Sequence, residues 1–297
     1  MVETLTTAFR DQIKRAMAAS KVPSVINDEN VYQEGNAEIL PILDEMVDAL
    51  LLPGSGITGL ENLEELFAKA ESGKSCLLLV EHYSNMDLSI LLTLLRDAGG
   101  RGKDIRNSII AISGMKLNED NPVVAAFAGA YTRIVIYPSR SVQGLDPEKD
   151  KAEIARSSAI NRAAMKALIR HKYKGNLVLV FPSGTRYRPG EPETKKGVRE
   201  IDSYIRSFDY MCFVALNGQI LHVQKTDMMN DAVSKDIIRV TTGPVTPCAE
   251  FRNNAINSAA EDEDKKQAVA DAIMNELEKL HVAAEKDRLK HGKPVLS

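Results

Sequence analysis

A histidine and an aspartate stand five positions apart in "LLLVEHYSNMDLSILLTLLRDAG", Leu77 to Gly99. His82 closes an apolar run that reads as a strand. Asp87 opens an apolar run that reads as a helix. In α/β sheets, ligands gather beyond the carboxyl ends of the strands, so this junction is where chemistry would sit. A turn between the two residues brings the carboxylate to one imidazole nitrogen. That contact fixes the tautomer and leaves the other nitrogen free to take a proton. The bland alternative is a helix start, because Ser84, Asn85 and Asp87 are all ordinary capping residues.

Three further stretches carry cations at the same kind of junction. "LVLVFPSGTRYRPGEPETKKG" starts as a strand at Leu177 and breaks at Pro182. Arg186 and Arg188, two apart in an extended loop, point the same way, and each guanidinium offers a planar fork of donors suited to a phosphate. Ser183 and Gly184 precede them, and the glycine lets backbone approach a ligand closely. "YTRIVIYPSR" places Arg140 after a strand and Arg133 before it, so Arg140 shares the carboxyl edge and Arg133 the opposite one. "AISGMKLN" adds Lys116 after a strand and a glycine. Arg140, Arg186 and Arg188 converging on one anion is the functional expectation; a solvated basic turn and a surface lysine are the bland ones.

The elements that must position these residues follow from hydrophobic period. Residues 1–75 read as a small helical subdomain without strands: Leu5, Phe9, Ile13 and Met17 form one stripe, and Ile39, Ile42, Met46 and Leu50 another. Pro53, Gly54 and Gly73 mark stops. From Cys76 to the end, residues 76–297, short apolar runs alternate with helical stretches: "CLLLVE", "SIIAIS", "RIVIY", "LVLVFP", "MCFVAL" and "IIRVTTG". Runs without polar alternation predict a sheet covered on both faces. Alternation with helices predicts an α/β class with a mixed, mostly parallel central sheet flanked by helices. Val269, Ile273, Leu277 and Leu280 predict a C-terminal helix laid on this body.

Composition excludes several functions. The 297 residues carry a net charge of -3, so no global basic field favours nucleic acid. Aromatics are 5% with no Trp, which argues against a stacking platform for single strands. Cys76, Cys212 and Cys248 are far apart and odd in number, which fits a reducing cytoplasm and no disulfide framework. His171, His222, His281 and His291 lack partners at metal-ligand spacing, so no metal is expected. No P-loop, GxGxxG or GxSxG occurs. No apolar stretch reaches the length of about 18 residues needed to span a bilayer. The expectation is a soluble, cytoplasmic protein that touches membranes peripherally.

Taken together, "HYSNMD" (His82 to Asp87) and "FPSGTR" (Phe181 to Arg186) resemble the H-x4-D and FPEGTR blocks of the glycerolipid acyltransferases. The longer "PSGTRYRP" is similar to the P-S-G-x-R-x-R-P block of the soluble, chloroplast-type glycerol-3-phosphate acyltransferases, and "RIVIYPSR" to an intermediate block. That group also carries a helical N-terminal subdomain before its α/β domain. The resemblance implies acyl transfer from an acyl carrier protein or CoA thioester to the sn-1 hydroxyl of glycerol 3-phosphate, giving lysophosphatidate, with no cofactor. It implies His82 as general base, Asp87 as its orienting partner, and Arg140, Arg186 and Arg188 as phosphate ligands assisted by Lys116. Backbone N–H groups near Ser183 and Gly184 are candidates for the oxyanion. Ser139 and Ser141 depart from the family block, which carries a basic residue and a histidine there. The alternatives are acylation of lysophosphatidate or another phosphorylated acceptor, and a lipid- or phosphate-binding module without catalysis. An acidic carrier protein would seek a basic surface, for which Lys172, Lys174, Lys195 and Lys196 are candidates.

Overall fold

A run such as "CLLLV" has no polar position to turn toward water, so it must be covered on both sides. All five of its residues are buried in the computed structural model, which describes residues 3–119, 121–224 and 228–290. Among these residues the strands are β1 (Tyr32–Gln33), β2 (Gly56–Thr58), β3 (Cys76–Val80), β4 (Ile109–Gly114), β5 (Arg133–Ile136), β6 (Leu177–Val180), β7 (Tyr210–Asn217), β8 (Leu221–His222), β9 (Ala232–Val233), β10 (Arg239–Thr242) and β11 (Thr246–Pro247). The main sheet runs β1-β5-β4-β6-β3-β7-β10-β2, with β11 also on β7, while β8 and β9 form a separate ribbon. Its centre, β5-β4-β6-β3-β7, is wholly parallel. β1 and β10 join antiparallel at the two sides. The class is α/β with a mixed, mostly parallel sheet, and the six apolar runs of the sequence are all strands.

Side chains alternate between two cores. Cys76, Leu78 and Val80 of β3 pack with Leu177 and Leu179 of β6 against the helices Leu40–Leu50, Leu60–Glu71 and Asp87–Asp97. Leu77 and Leu79 pack with Val178 and Val180 against the helices Lys151–His171, Ile201–Ser207 and Lys265–Arg288. Each face therefore carries its own helical layer.

The first 75 residues correct the sequence expectation in two ways. They contribute two strands: β1 pairs with β5, and β2 pairs with β10. At two and three residues, these strands are too short to show a period. The amphipathic stripe also breaks at Phe9, between the helices Leu5–Ala8 and Arg10–Ala19. The second helix turns Ala16 inward, and Met17 is left exposed. The helices of this region share one core with β3, β6 and β7, so residue 76 marks a change of texture rather than a break in packing. Val269, Ile273 and Leu277 are buried as expected on the Lys265–Arg288 helix, with Leu280 partly covered.

Among the described residues, no helix is long and apolar enough to cross a membrane.

Candidate active site

Because β3, β4, β5 and β6 are parallel, the segments after them emerge on one edge of the sheet. His82, Lys116, Arg140 and the loop from Phe181 to Arg188 all lie there. Arg133, at the other end of β5, is buried and donates to Gln33 Oε1 through Nε (3.1 Å) and Nη2 (2.6 Å). It is a structural arginine, and burial pushes its guanidinium down to about 10.

His82 and Asp87 meet. His82 Nδ1 lies 2.9 Å from Asp87 Oδ2. A carboxylate only accepts, so Nδ1 carries the proton of the neutral ring and Nε2 keeps its lone pair. Among the described residues no protein group bonds to Nε2. The Asp87 carboxylate is itself locked in place. It accepts from Tyr83 N (2.6 Å), from Ser84 N (2.9 and 3.0 Å) and from Ser84 Oγ (2.7 Å). The capping alternative does not account for it: Met86 stands at the helix N-cap without a side-chain cap bond, and Asp87 turns back onto the histidine loop. Its position in the first helical turn also places its charge where the helix dipole favours an anion.

The second block holds the other side of the imidazole. The Phe181 ring stacks on His82 with centroids 4.0 Å apart and an interplanar angle of 15°. Tyr187 N donates to His82 O at 2.8 Å. Two sequence blocks separated by some ninety positions of chain are thus joined at one residue. Ser183 is buried, and its Oγ donates to Thr185 O. Gly184 has φ +62°, and its N–H donates to Phe181 O at 2.9 Å. That N–H closes the turn, so among the backbone donors near Ser183 and Gly184 this one is already engaged. A Cβ at Gly184 would also come within 3.2 Å of Val198 Cγ1.

The cations divide. Arg186 Nη1 sits 3.7 Å from the buried Asp231 Oδ2, and Arg188 Nη1 sits 3.5 Å from Glu191 Oε2 on the surface. The two arginines expected to point the same way are thus drawn to different acids. Arg140 and Lys116 are exposed and make no ion pair among the described residues. They follow β5 and β4, whose ends pair at Gly114 and Ile136. A groove of about 700 Å³ opens beside Arg140, lined by Ser139, Gln143, Asn161 and Arg162 among others; His82 is not in its lining.

The sequence missed a second histidine pair next to the first. Glu81 is buried, and its Oε2 accepts from His281 Nδ1 (2.8 Å) and from Leu216 N (2.9 Å). Its Oε1 accepts from Tyr83 Oη (2.8 Å). Burial lowers the His281 imidazole, but the hydrogen bond and charge of Glu81 outweigh it and hold the ring above the ordinary histidine value. Burial, then Glu81, pushes the Tyr83 phenol upward. Asn217 Nδ2 donates to His281 O (3.1 Å) and to Glu285 Oε2 (3.0 Å), and Arg288 Nη1 donates to Asp236 Oδ1 (3.1 Å). The Lys265–Arg288 helix is thereby clamped on the ends of β3 and β7.

The remaining histidines also have partners: His171 stacks on Tyr32 at 4.2 Å, and His222 Nε2 meets Ser234 Oγ at 2.7 Å. His291 lies outside the described residues. Burial pushes the thiols of Cys76, Cys212 and Cys248 up to about 12, too high for a thiolate nucleophile.

No family model matches the chain, and no curated protein matches it significantly.

Proposed function

We propose that the protein is an acyltransferase that moves a fatty acyl group from a thioester to the hydroxyl of a small phosphorylated acceptor, with glycerol 3-phosphate the foremost candidate. The observation that carries this reading is the junction at His82. Its Nδ1 is held by a fully engaged carboxylate, its ring is held by Phe181, and its Nε2 is open. Such an arrangement suits a general base.

In this scheme His82 Nε2 takes the proton of the sn-1 hydroxyl as the hydroxyl oxygen attacks the thioester carbon. Collapse of the tetrahedral intermediate breaks the C–S bond. The imidazolium, stabilised by Asp87, returns the proton to the departing thiolate. The products are lysophosphatidate and the free thiol carrier, and no cofactor or covalent enzyme intermediate is needed. A clamp on the phosphate would fix the far end of the acceptor and place its hydroxyl near the base. Arg140 and Lys116 are ready for this role. Arg186 and Arg188 join it by exchanging Asp231 and Glu191 for phosphate oxygens, a bidentate geometry that guanidinium favours. The reaction would run in the cytoplasm, with the lipid product leaving at a membrane surface.

The test uses purified protein, palmitoyl-CoA or palmitoyl carrier protein as donor, and labelled glycerol 3-phosphate or lysophosphatidate as acceptor. Label from glycerol 3-phosphate in lysophosphatidate supports the reading and identifies the donor. Transfer only to lysophosphatidate reassigns the acceptor. Binding of glycerol 3-phosphate with no transfer from either donor sinks the enzyme and leaves a binding module.

A further inference from the structure

The Lys151–His171 helix carries a pattern that no catalytic role uses. Its inner face is apolar and buried through Ile160, Ala164 and Leu168. Its outer face presents one apolar and one basic residue on each turn: Met165 with Lys166, then Ile169 with Arg170, continued by Tyr173 with Lys174 just after the helix. Arg162 begins the basic row one turn earlier. Met165, Ile169 and Tyr173 are 47%, 54% and 52% exposed, and they repeat at four-residue spacing. Arg162, Lys166, Arg170 and Lys174 make no ion pair among the described residues. The acid of this helix, Glu153, lies in its first turn and is engaged by Arg156 at 3.3 Å. From Arg162 to Lys174 the face spans roughly 18 Å at helical rise.

We infer that this face docks the protein on an anionic lipid surface. Four cations with no ion pair among the described residues seek anions, and the long apolar side chains between them can enter the headgroup boundary while the basic heads stay with the phosphates. A second copy of this chain is a poor occupant, because a twofold contact would set basic row against basic row. A nucleic-acid backbone would use the cations but leave the apolar row idle. An acidic protein is the remaining rival. Of the four lysines expected to meet one, Lys172 is buried and donates to Ser207 O and Lys195 is paired with Glu278, which leaves Lys174, already in the basic row, and Lys196. The near end of the face reaches the groove beside Arg140. Arg162 and Met165 line the groove that also holds Ser139, next to Arg140, and Asn161 exchanges hydrogen bonds with Tyr137 at the end of β5 (2.9 and 3.0 Å). The inference goes beyond the acyltransferase reading and stands without it, because its test reads no turnover.

Flotation with vesicles of equal parts phosphatidylcholine and phosphatidylglycerol, against pure phosphatidylcholine, provides that test. The full chain should float with the anionic vesicles, stay behind with the neutral ones, and be released by high salt. Lys166→Glu combined with Arg170→Glu should weaken binding by about a hundredfold, since each cation near such a surface counts separately. Ile169→Ser combined with Met165→Ser should weaken it by about tenfold with the salt dependence kept. All four positions are exposed, so an unchanged circular dichroism spectrum and melting temperature certify the fold of each variant. The inference is overturned if the protein floats with neither vesicle, or if it floats equally well after both double substitutions. Charge-reversal-sensitive binding to an acidic carrier protein without vesicle binding also overturns it, and reassigns the face.

Discussion

Two histidine–carboxylate pairs sit side by side at the end of β3, and their surroundings differ. Glu81 and His82 are consecutive. The alternation of the strand sends Glu81 toward the Lys265–Arg288 helix and His82 toward the Asp87–Asp97 helix. The two contacts are almost equal in length, 2.8 Å for His281–Glu81 and 2.9 Å for His82–Asp87. Distance alone therefore does not mark a catalytic pair. His281 is a remote residue, 200 positions away, and its bond fastens one helix to one strand. Glu81 holds it above its ordinary value, and the pair ties the helix to the strand end. His82 lies within one turn of its carboxylate, under Phe181, on the edge where Arg140 and Lys116 stand exposed. Surroundings, rather than contact length, are what set the proposed base apart from the brace.

That contrast can be broken or sharpened by substitution. Asp87→Ala should have the largest effect. It releases the His82 tautomer and should cost about 10²- to 10⁴-fold in turnover, the span of general-base catalysis. It also strands the N–H groups of Tyr83 and Ser84, each worth about 1–3 kcal/mol if left unsatisfied, so melting temperature should fall as well. Retained turnover in a folded variant would move Asp87 to the brace class. Arg140→Ala comes next: KM for glycerol 3-phosphate should rise by about tenfold to a hundredfold, the worth of a charge-assisted bond, with kcat less affected. Because Arg140 is exposed, stability should not change. Arg186→Ala should raise KM too, but it uncovers the buried Asp231 and should lower the melting temperature.

His281→Gln should show the opposite signature: turnover close to wild type and a pH-dependent stability difference. Its folded-state value is raised, so the native state binds the proton more tightly than the unfolded chain. The stabilisation is fully present below the ordinary value of 6.5 and is lost as pH rises through the higher folded value. Denaturant midpoints of wild type and variant should therefore converge as pH increases across that window. A gap that widens with pH would show that His281 is held neutral. The smallest effect belongs to Tyr83→Phe, which removes one donor from Glu81 and should cost about 1 kcal/mol without altering the pH profile of turnover.

Much of this was legible from residues alone, and for physical reasons. β3, β4 and β6 are covered on both faces, so they had to be written as unbroken apolar runs. The His82–Asp87 contact is local, so five-residue spacing announced it. The loop after Leu177 announced its break through Pro182 and Gly184. What escaped was long-range or too short. β1 and β2 have no period to read. The bond from Glu81 to His281 joins positions that only the sheet brings together. The diversion of Arg186 toward Asp231 depends on an acid 45 positions later, and no pattern in the loop encodes it. Gly184 was found, but nothing in the loop's residue pattern shows that the turn takes its N–H.

Acyl transfer by His82→Ala and His281→Ala, measured side by side with wild type on labelled glycerol 3-phosphate, tests the central claim most directly. The account predicts that the first variant, folded and still binding glycerol 3-phosphate, loses at least about 10²-fold in turnover, while the second stays within about threefold of wild type. Equal losses in both, or a loss confined to His281→Ala, would contradict it.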